Sequence, residues 1–272
     1  PTEPGFYRLT VEDFTSGKVI CIKAFVMVPY HGTEELNGYR IGTYESEPME
    51  NDPTSGPPKG FIEVTPENMN TWVSPNFQLK QFLCKQEAEF PKYMLLRTRL
   101  LLKLEMVAED LERTHGEPPV LHVMSAYRTP YYNRRIGNRT KYSRHLFGDA
   151  ADIFLDNNND EWMDDLSGDG RVSTQDAGIM YEQIDTLYQT SWYDPFIGGM
   201  GLYGPKYDRG PFVHVDTRGY HARWGDKRGK TWLRAKGLVI EDSNSIVNKR
   251  LVDEPVTYDI DSRFRKFQRI KR

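Results

Sequence analysis

The most informative stretch of the sequence is 143–153, which reads Ser-Arg-His-Leu-Phe-Gly-Asp-Ala-Ala-Asp-Ile. It contains a histidine, a glycine three residues later, small residues, and an aspartate that opens an apolar strand. Gly148 permits a tight turn, and the two alanines let the backbone pass close to its neighbours. His145 and Asp152 can therefore converge on one point from the two ends of the turn.

A second histidine stands in a strand pattern, Val213-His214-Val215-Asp216. Residues two apart in a strand share a face, so His214 and Asp216 are predicted to point to the same side. Two histidines and one carboxylate are a sufficient set for catalytic zinc, because three protein ligands leave the fourth tetrahedral position to water. Zinc lowers the pKa of that water toward neutrality and polarises a carbonyl group.

Around these two stretches the chain alternates short strands and helices. Strands are predicted at 8–11, 19–28, 120–124, 197–203 and 211–216, and helices at 74–80, 92–114 and 177–189. The long helix has a stripe of leucine and valine at three- and four-residue steps, and Gly116 with Pro118-Pro119 ends it. A loop rich in Pro, Gly and Ser at 48–60 suggests a boundary after a β-rich segment 1–60.

Three blocks together resemble a known family. They are Ser125-Ala126-Tyr127-Arg128-Thr129-Pro130 with Asn133, the S-x-H-x-x-G-x-A-x-D pattern of 143–152, and His214-Val215-Asp216-Thr217 followed by Arg223-Trp224. In this order they resemble the LAS family of zinc peptidases, which joins D-Ala-D-Ala carboxypeptidases, murein endopeptidases and the hedgehog signalling domain. The resemblance runs from about Ser74 to Trp224. It implies an α+β fold, an antiparallel sheet with flanking helices, for a zinc peptidase domain at 61–225.

The resemblance also implies roles for individual residues. The zinc ligands would be His145, Asp152 and His214. Arg128 would reach into the cleft, where its guanidinium could hold a substrate carboxylate or stabilise an oxyanion, with Tyr127 beside it as a substrate-binding residue. Ser143 would support the metal-site turn by hydrogen bonding and lie at the substrate site.

The expected general base is missing from its usual place. Many members of the family carry Glu, Asp or His two or three residues before the third ligand, where this chain has Pro211 and Phe212. A base is still needed to take the proton of the attacking water. Asp216 is the first candidate, because it shares a strand face with the third ligand, and Asp208 and His221 from flanking loops are the alternatives.

A possible second metal site lies between the two halves of the zinc site, in an insertion at 160–177. Residues 165–176 follow EF-hand spacing, with oxygen-bearing side chains at loop positions 1, 3, 5, 9 and 12 and glycine at position 6. The predicted calcium ligands are Asp165, Ser167, Asp169, Asp176 and the backbone carbonyl of Arg171. The loop resembles the calcium repeats of dockerins, although its entering helix around 160–164 is short. The alternative is an acidic surface turn.

Composition restricts the partners. The 272 residues carry a formal net charge of −3, with 38% hydrophobic and 28% charged residues, which is typical of a folded globular domain rather than a polyelectrolyte binder. Nucleic acid is therefore not an expected partner. The predicted C-terminal extension, 226–272, ends in a basic run at 263–272 with six Lys or Arg, either a solvated tail or a segment attracted to an anionic surface.

The sequence also gives expectations for the location of the protein and for its two cysteines. No window approaches the roughly 18 apolar residues of a membrane span. The chain opens Pro-Thr-Glu-Pro, as a trimmed product would, and a weak calcium loop would stay filled at the calcium levels outside the cytoplasm. We therefore expect a periplasmic or secreted protein. Cys21 and Cys84 could form one bridge or remain two small buried side chains.

The leading functional hypothesis is zinc-dependent hydrolysis of an amide bond in peptidoglycan peptides, by an endopeptidase or a D,D-carboxypeptidase. Endopeptidase is preferred, because the H-V-D ending resembles that branch. Two alternatives stay open. One is a catalytically inactive binding module for cell wall or glycan, stabilised by zinc and calcium, and the other is a zinc peptidase that acts on non-wall peptides.

Overall fold

The computed structural model describes residues 2–49, 52–115, 119–238 and 240. This part of the chain mixes α and β structure. Its strands are β1 Gly5–Asp13, β2 Lys18–Val26, β3 Val28–Pro29, β4 Glu35–Leu36, β5 Tyr39–Arg40, β6 Gly60–Val64, β7 Lys92–Met94, β8 Leu121–Ser125, β9 Ala150–Leu155, β10 Gly199–Tyr203, β11 Phe212–Asp216 and β12 Ala222–Gly225. Its α-helices are α1 Thr98–His115, α2 Pro130–Arg135, α3 Thr174–Leu187 and α4 Lys227–Ala235. Short 3-10 helices lie at Pro53–Ser55, Leu79–Phe82, Arg144–Phe147 and Ser191–Phe196.

The largest sheet has five strands in the order β12-β10-β11-β9-β8. Its pairs are antiparallel, as predicted, except that β12 runs parallel to β10. The exception arises because the segment 217–221 carries the chain past β10 and reverses it before β12 begins. Both β10 and β11 match predicted strands, with starts shifted by one or two residues.

Helices cover one face of this sheet. Helix α3 packs on β9, β10 and β11, and α4 packs on β10 and β12. Arg223 of β12 marks the helix side, because its guanidinium pairs with Asp185 of α3 at 3.0 Å. The residues that share this face on the neighbouring strands are fully buried: Ala151, Ile153, Met200, Leu202, Val213 and Val215. The opposite face carries the residues singled out in the sequence.

The segment before residue 60 contributes to the same core. Val28 of β3 pairs with Phe61 of β6 across the predicted boundary. The ring of Tyr30 meets the ring of Phe61 edge-on, with centroids 5.0 Å apart. Tyr44 donates a hydrogen bond to the carbonyl of Leu146, 2.9 Å away, in the helix that bears His145. Residues 28–49 and 52–60 therefore contribute to packing against the elements that follow, while the β1–β2 hairpin is largely exposed.

Several predicted helix limits shift because of contacts distant in sequence. The predicted helix 92–114 begins only at Thr98, since residues 92–94 pair with β6 as strand β7. The predicted helix at 74–80 is a turn followed by the 3-10 helix Leu79–Phe82, because Glu105 of α1 holds the backbone and side-chain amides of Asn76 at 2.8 and 2.6 Å.

Helix α3 starts earlier than predicted, at Thr174, where Ser173 and Asp176 cap it reciprocally. No helix forms at 160–164, the segment predicted to enter the calcium loop.

Cys21 is exposed and Cys84 buried, and neither is in a disulfide. Among the described residues, no helix combines the length and apolarity needed to cross a bilayer. The basic run at 263–272 and the predicted helix end at 116–118 lie outside the described residues.

Candidate metal centre

Strand register aligns the central residues of the site in one row. Asp152 of β9 stands opposite His214 of β11, His214 opposite Gly201 of β10, and Gly201 opposite Trp224 of β12. Directly opposed residues project from the same face of a sheet. The row therefore places a carboxylate beside an imidazole, and an aromatic ring two strands from that imidazole, on the face opposite α3 and α4.

The third member of the group, His145, comes from the 3-10 helix Arg144–Phe147. Gly148 ends this helix with φ +70°, a left-handed conformation that favours glycine. A side chain at this position would also meet the backbone of Leu95. The carbonyl of Gly148 accepts a hydrogen bond from the amide of Arg97 at 2.8 Å. The positive φ and the lack of a side chain at Gly148 therefore both allow the tight turn that places His145 over the sheet.

A buried ion network supports the same turn. Arg144 is 6% exposed, and its guanidinium forms paired hydrogen bonds with Asp149 on the far side of the turn. The guanidinium also pairs with Asp52 and donates to the hydroxyl of Thr54, 2.9 Å away. Because Arg144 precedes His145 directly, this network fixes the backbone that carries the ligand.

The three predicted zinc ligands converge on one point. His145 Nε2 lies 3.1 Å from His214 Nδ1, which lies 2.9 Å from Asp152 Oδ1, and the remaining pair is 3.3 Å apart. Zinc ligands about 2.0–2.1 Å from a tetrahedral ion lie roughly 3.3 Å from one another. The donor set and its spacing fit zinc. Within the described ranges, these three residues are the group of His, Cys, Asp or Glu side chains able to share an ion.

Each imidazole has its second nitrogen fixed by a hydrogen bond. The Nδ1 of His145 lies 2.6 Å from the carbonyl of Ala126, which can only accept, so Nδ1 carries the proton and Nε2 presents a lone pair. Burial lowers the pKa of His145 to about 4, so this imidazole is neutral at neutral pH. Such an outer partner is typical of metal-binding histidines.

His214 is oriented by a carboxylate, because its Nε2 lies 3.3 Å from Oδ2 of Asp216. Burial disfavours the charged imidazolium, but hydrogen bonds to Asp152 and Asp216 raise the pKa of His214 above its ordinary value. Burial also opposes ionisation of Asp152, yet its interactions with His145 and with the guanidinium of Arg128 hold the pKa of Asp152 well below its usual range. Asp152 is thus an anionic ligand at neutral pH.

Asp216 lies behind His214 rather than in front of the ligand group. Besides the imidazole, its oxygens accept from the amide of Gly199 at 2.8 Å and from the backbone and guanidinium of Arg218. Burial raises the pKa of a carboxyl, but Arg218 and His214 hold that of Asp216 well below its ordinary value. This position does not suit the predicted general base, because the carboxylate is completely buried and saturated with donors. Asp216 does share a strand face with His214, as predicted. On that face its carboxylate lies beside Nε2 of His214, the nitrogen that points away from the other two ligands.

Lys103 is a buried charge that the sequence interpretation did not single out. It is completely buried, and its ammonium donates to the carbonyl of Asp216 at 2.7 Å and to the hydroxyl of Tyr188 at 2.8 Å. Burial lowers the pKa of Lys103 to about 7. The signal was present in the sequence, since residue 103 falls three after Leu100 on the apolar stripe of the helix.

Arg128 lies beside the ligand group. Its guanidinium contacts Oδ2 of Asp152, and its Nε donates to the hydroxyl of Ser125 at 2.9 Å. Tyr127 points the other way, into the core, where it is 1% exposed and its hydroxyl lies 3.1 Å from that of Tyr44. Tyr127 is therefore not placed to bind substrate. Ser143 is buried at the start of the helix that bears His145, and its side chain does not cap that helix.

Neither alternative base is among the side chains that lie close enough together to share an ion with the three ligands. His221 lies on the helix side, stacked on Tyr188 with ring centroids 4.3 Å apart and 3.4 Å from Asp185. Asp208 is exposed in the loop before β11. The neighbouring Arg209 anchors that loop, since its guanidinium lies over the ring of Phe212 at 4.5 Å.

An aromatic group beside the ligands was not predicted. The indole of Trp224 lies 5.1 Å from the ring of His214, and its Nε1 donates to the hydroxyl of Tyr203 at 2.9 Å. A Cβ on Gly201 would lie 2.7 Å from the indole nitrogen, and one on Gly199 would also clash with the indole ring. Alternating glycines on one strand face were the available signal, since they leave room for a large ring lying flat on the sheet.

The predicted calcium loop is closed by its own hydrogen bonds. Asp165 accepts from the amides of Gly168 and Gly170 at 2.8 and 2.7 Å. Asp176 accepts from the amides of Ser167 and Ser173 at 2.9 and 2.7 Å. The hydroxyl of Ser167, a third predicted ligand, donates to Asp165 at 3.1 Å. The other two predicted ligands are exposed: Asp169, whose carboxylate accepts a hydrogen bond from the amide of Arg171, and Arg171 itself. The carboxylates of Asp165, Asp169 and Asp176 do not form a group close enough to share an ion in this structure.

Comparison with known proteins supports a peptidase. Residues 75–183 match the model of the family described as Peptidase M15. This is the family of zinc D-Ala-D-Ala carboxypeptidase-like peptidases in the LAS superfamily, so the resemblance is confirmed over this segment. The match includes His145 and Asp152 and ends before His214. No curated protein and no solved structure matches the chain.

Proposed function

We propose that this chain is a zinc-dependent peptidase that hydrolyses an amide bond in the peptides of peptidoglycan, outside the cytoplasm. The observation that carries the proposal is the convergence of two imidazole nitrogens and one carboxylate oxygen within 3.3 Å of each other. The Peptidase M15 match supports the reaction class, because it covers two of the three ligands. The LAS-type core and the peptidoglycan substrate belong to the same proposal.

Zinc held by His145, Asp152 and His214 would supply an activated water and polarise the scissile carbonyl. Other residues of the chain orient the ligands and can bind the substrate. Ala126 and Asp216 fix the two imidazoles in the tautomers that ligation requires. The guanidinium of Arg128 lies against Asp152 at the edge of the group, where its remaining N–H donors can bind a substrate oxygen.

The proton of the attacking water needs an acceptor, and we retain Asp208 for this role as a proposal. Unlike Asp216, Asp208 is exposed, and it lies on the loop that leads into β11 and the third ligand. Replacing Asp208 by Asn should then lower kcat and leave zinc content unchanged. Equal activity of the variant would eliminate Asp208.

We favour an endopeptidase over a carboxypeptidase. A carboxypeptidase needs a cationic fork that is free to bind a terminal carboxylate. In this chain the guanidinium of Arg128 is already engaged by Asp152 and by Ser125, which argues against a dedicated carboxylate pocket at this residue.

The direct test is digestion of purified peptidoglycan followed by mass spectrometry of the released products. We expect muropeptide release that stops with a chelator, returns with zinc, and is lost in His145→Ala. His122→Ala is the matched control, because His122 lies on the neighbouring strand β8 outside the ligand group. Cleavage of other peptides with an inert cell wall would support the non-wall peptidase instead.

A second candidate is a zinc- and calcium-stabilised binding module for cell wall or glycan. The lack of an acidic or histidine side chain at Pro211 and Phe212 favours it. Binding to peptidoglycan without any product release would identify this function. Calcium at residues 165–176 is a further part of the proposal, and it rests on the EF-hand spacing of the sequence.

A further inference from the structure

The hydrogen-bonding role of the Tyr203 hydroxyl is fixed by its partner. Its partner is the indole Nε1 of Trp224, 2.9 Å away, and an indole nitrogen can only donate. The phenol oxygen is therefore the acceptor in this contact. Its own proton must point elsewhere, so the hydroxyl keeps one donor to offer.

The phenol is held next to the ligand group. A Cβ on Gly201 would lie 2.9 Å from Cε2 of Tyr203, so the phenol ring passes over Gly201. Gly201 stands directly opposite His214 in the neighbouring strand. The ring is also stacked on Phe212, with centroids 4.6 Å apart and planes 7° apart, and this stacking fixes its direction.

The surroundings keep the phenol protonated. Burial, helped by the negative charge of Asp152, raises the pKa of Tyr203 to about 12. The side chain is nevertheless partly exposed, so a bound substrate can reach it. A rigid, protonated hydroxyl beside the ligands is suited to donate a hydrogen bond rather than to accept a proton.

We infer that Tyr203 is a catalytic residue that donates a hydrogen bond to the oxygen of the scissile carbonyl, an inference that rests on the proposed peptidase function. As the water oxygen bonds to the carbonyl carbon, the π pair moves to the carbonyl oxygen, which becomes negative. Tyr203 stabilises that charge and retains its proton throughout. The carbon–nitrogen bond then breaks, and the proton lost by the water ends on the leaving nitrogen. Preorganised donors aimed at a developing oxyanion are a major source of catalysis.

The test compares Tyr203→Phe with the unaltered protein, both loaded with zinc. This variant keeps the stacked ring and removes only the hydroxyl. We expect kcat for a defined muropeptide to fall on the order of 100-fold, with KM and zinc content unchanged. Tyr93→Phe is the matched control, because burial likewise raises the pKa of its hydroxyl to about 12, but its partners are Asn37 and Glu63.

A binding measurement separates this role from others without relying on turnover. Calorimetry should show that Tyr203→Phe weakens a phosphinate analogue of the peptide, which mimics the tetrahedral oxyanion, at least tenfold, while a product peptide binds equally well. Equal kcat, equal loss for both ligands, or loss of zinc would overturn the inference. Failure of the unaltered protein to cleave any peptide would instead refute the proposed function.

Discussion

Asp216→Asn tests how the third ligand is held. In the structure Asp216 accepts hydrogen bonds from His214, from the amide of Gly199 and from the guanidinium of Arg218. Because its pKa is depressed, the carboxylate is charged at neutral pH, and the substitution removes that charge. An amide group has only one acceptor oxygen, so one of its NH₂ donors must face Arg218 or His214.

The expected effect is on metal affinity. Loss of an outer partner of a ligating histidine typically costs about 10- to 100-fold in affinity or activity, or about 1.4–2.7 kcal/mol. Competition against a chromophoric zinc chelator at neutral pH measures this directly. Asp185→Asn is the matched control, because Asp185 also pairs with an arginine, Arg223, but on the helix side of the sheet.

The result also separates two roles for Asp216. If Asp216 were the general base, Asp216→Asn would lose activity and keep zinc affinity. Unchanged affinity in a folded variant, or an equal loss in Asp185→Asn, would refute the assignment of Asp216 as the residue that orients His214.

Three further predictions concern other parts of the site. Gly201→Ala places a Cβ 2.7 Å from the indole of Trp224, so thermal or urea denaturation should show a loss of about 1–3 kcal/mol of stability, and unchanged stability would contradict the packing. Zinc must displace a proton from His214 below the pKa of this residue, which is raised. Chelator competition should therefore show zinc affinity falling by up to about tenfold for each pH unit below that pKa. A zinc affinity that does not change with pH would contradict this. Calcium should raise the melting temperature, an effect that Asp165→Ala abolishes; no calcium shift in the unaltered protein would remove the loop from the proposal.

The sequence identifies the ligands well because the pattern around each one is local, although their convergence depends on the pairing of β9 with β11. The turn at Gly148 and the two-residue period of β11 are both encoded within a few positions. The period correctly puts Asp216 on the face of His214, but it cannot show that Arg218 and the amide of Gly199 occupy the carboxylate. The sequence therefore could not show that the Asp216 carboxylate lies behind His214, in a position that does not suit a general base.

Other differences arise from packing between distant segments. Tyr127 and Arg128 are neighbours that point in opposite directions, and only the contact with Tyr44 shows that Tyr127 belongs to the core. The start of α1 depends on Lys92 pairing with Val64, twenty-eight residues earlier. The proximity of Trp224 and Tyr203 to His214 depends on the strands β10, β11 and β12 assembling in register.

We propose that two imidazoles and one carboxylate bind a single zinc ion. X-ray absorption spectroscopy of the zinc-loaded protein, with elemental analysis, tests it most directly. We predict one zinc per chain, coordinated by two imidazole nitrogens with oxygen completing the shell, and loss of that spectrum in His214→Ala. Sulfur ligands, a single imidazole, or stoichiometric zinc unaffected by His214→Ala would contradict the claim.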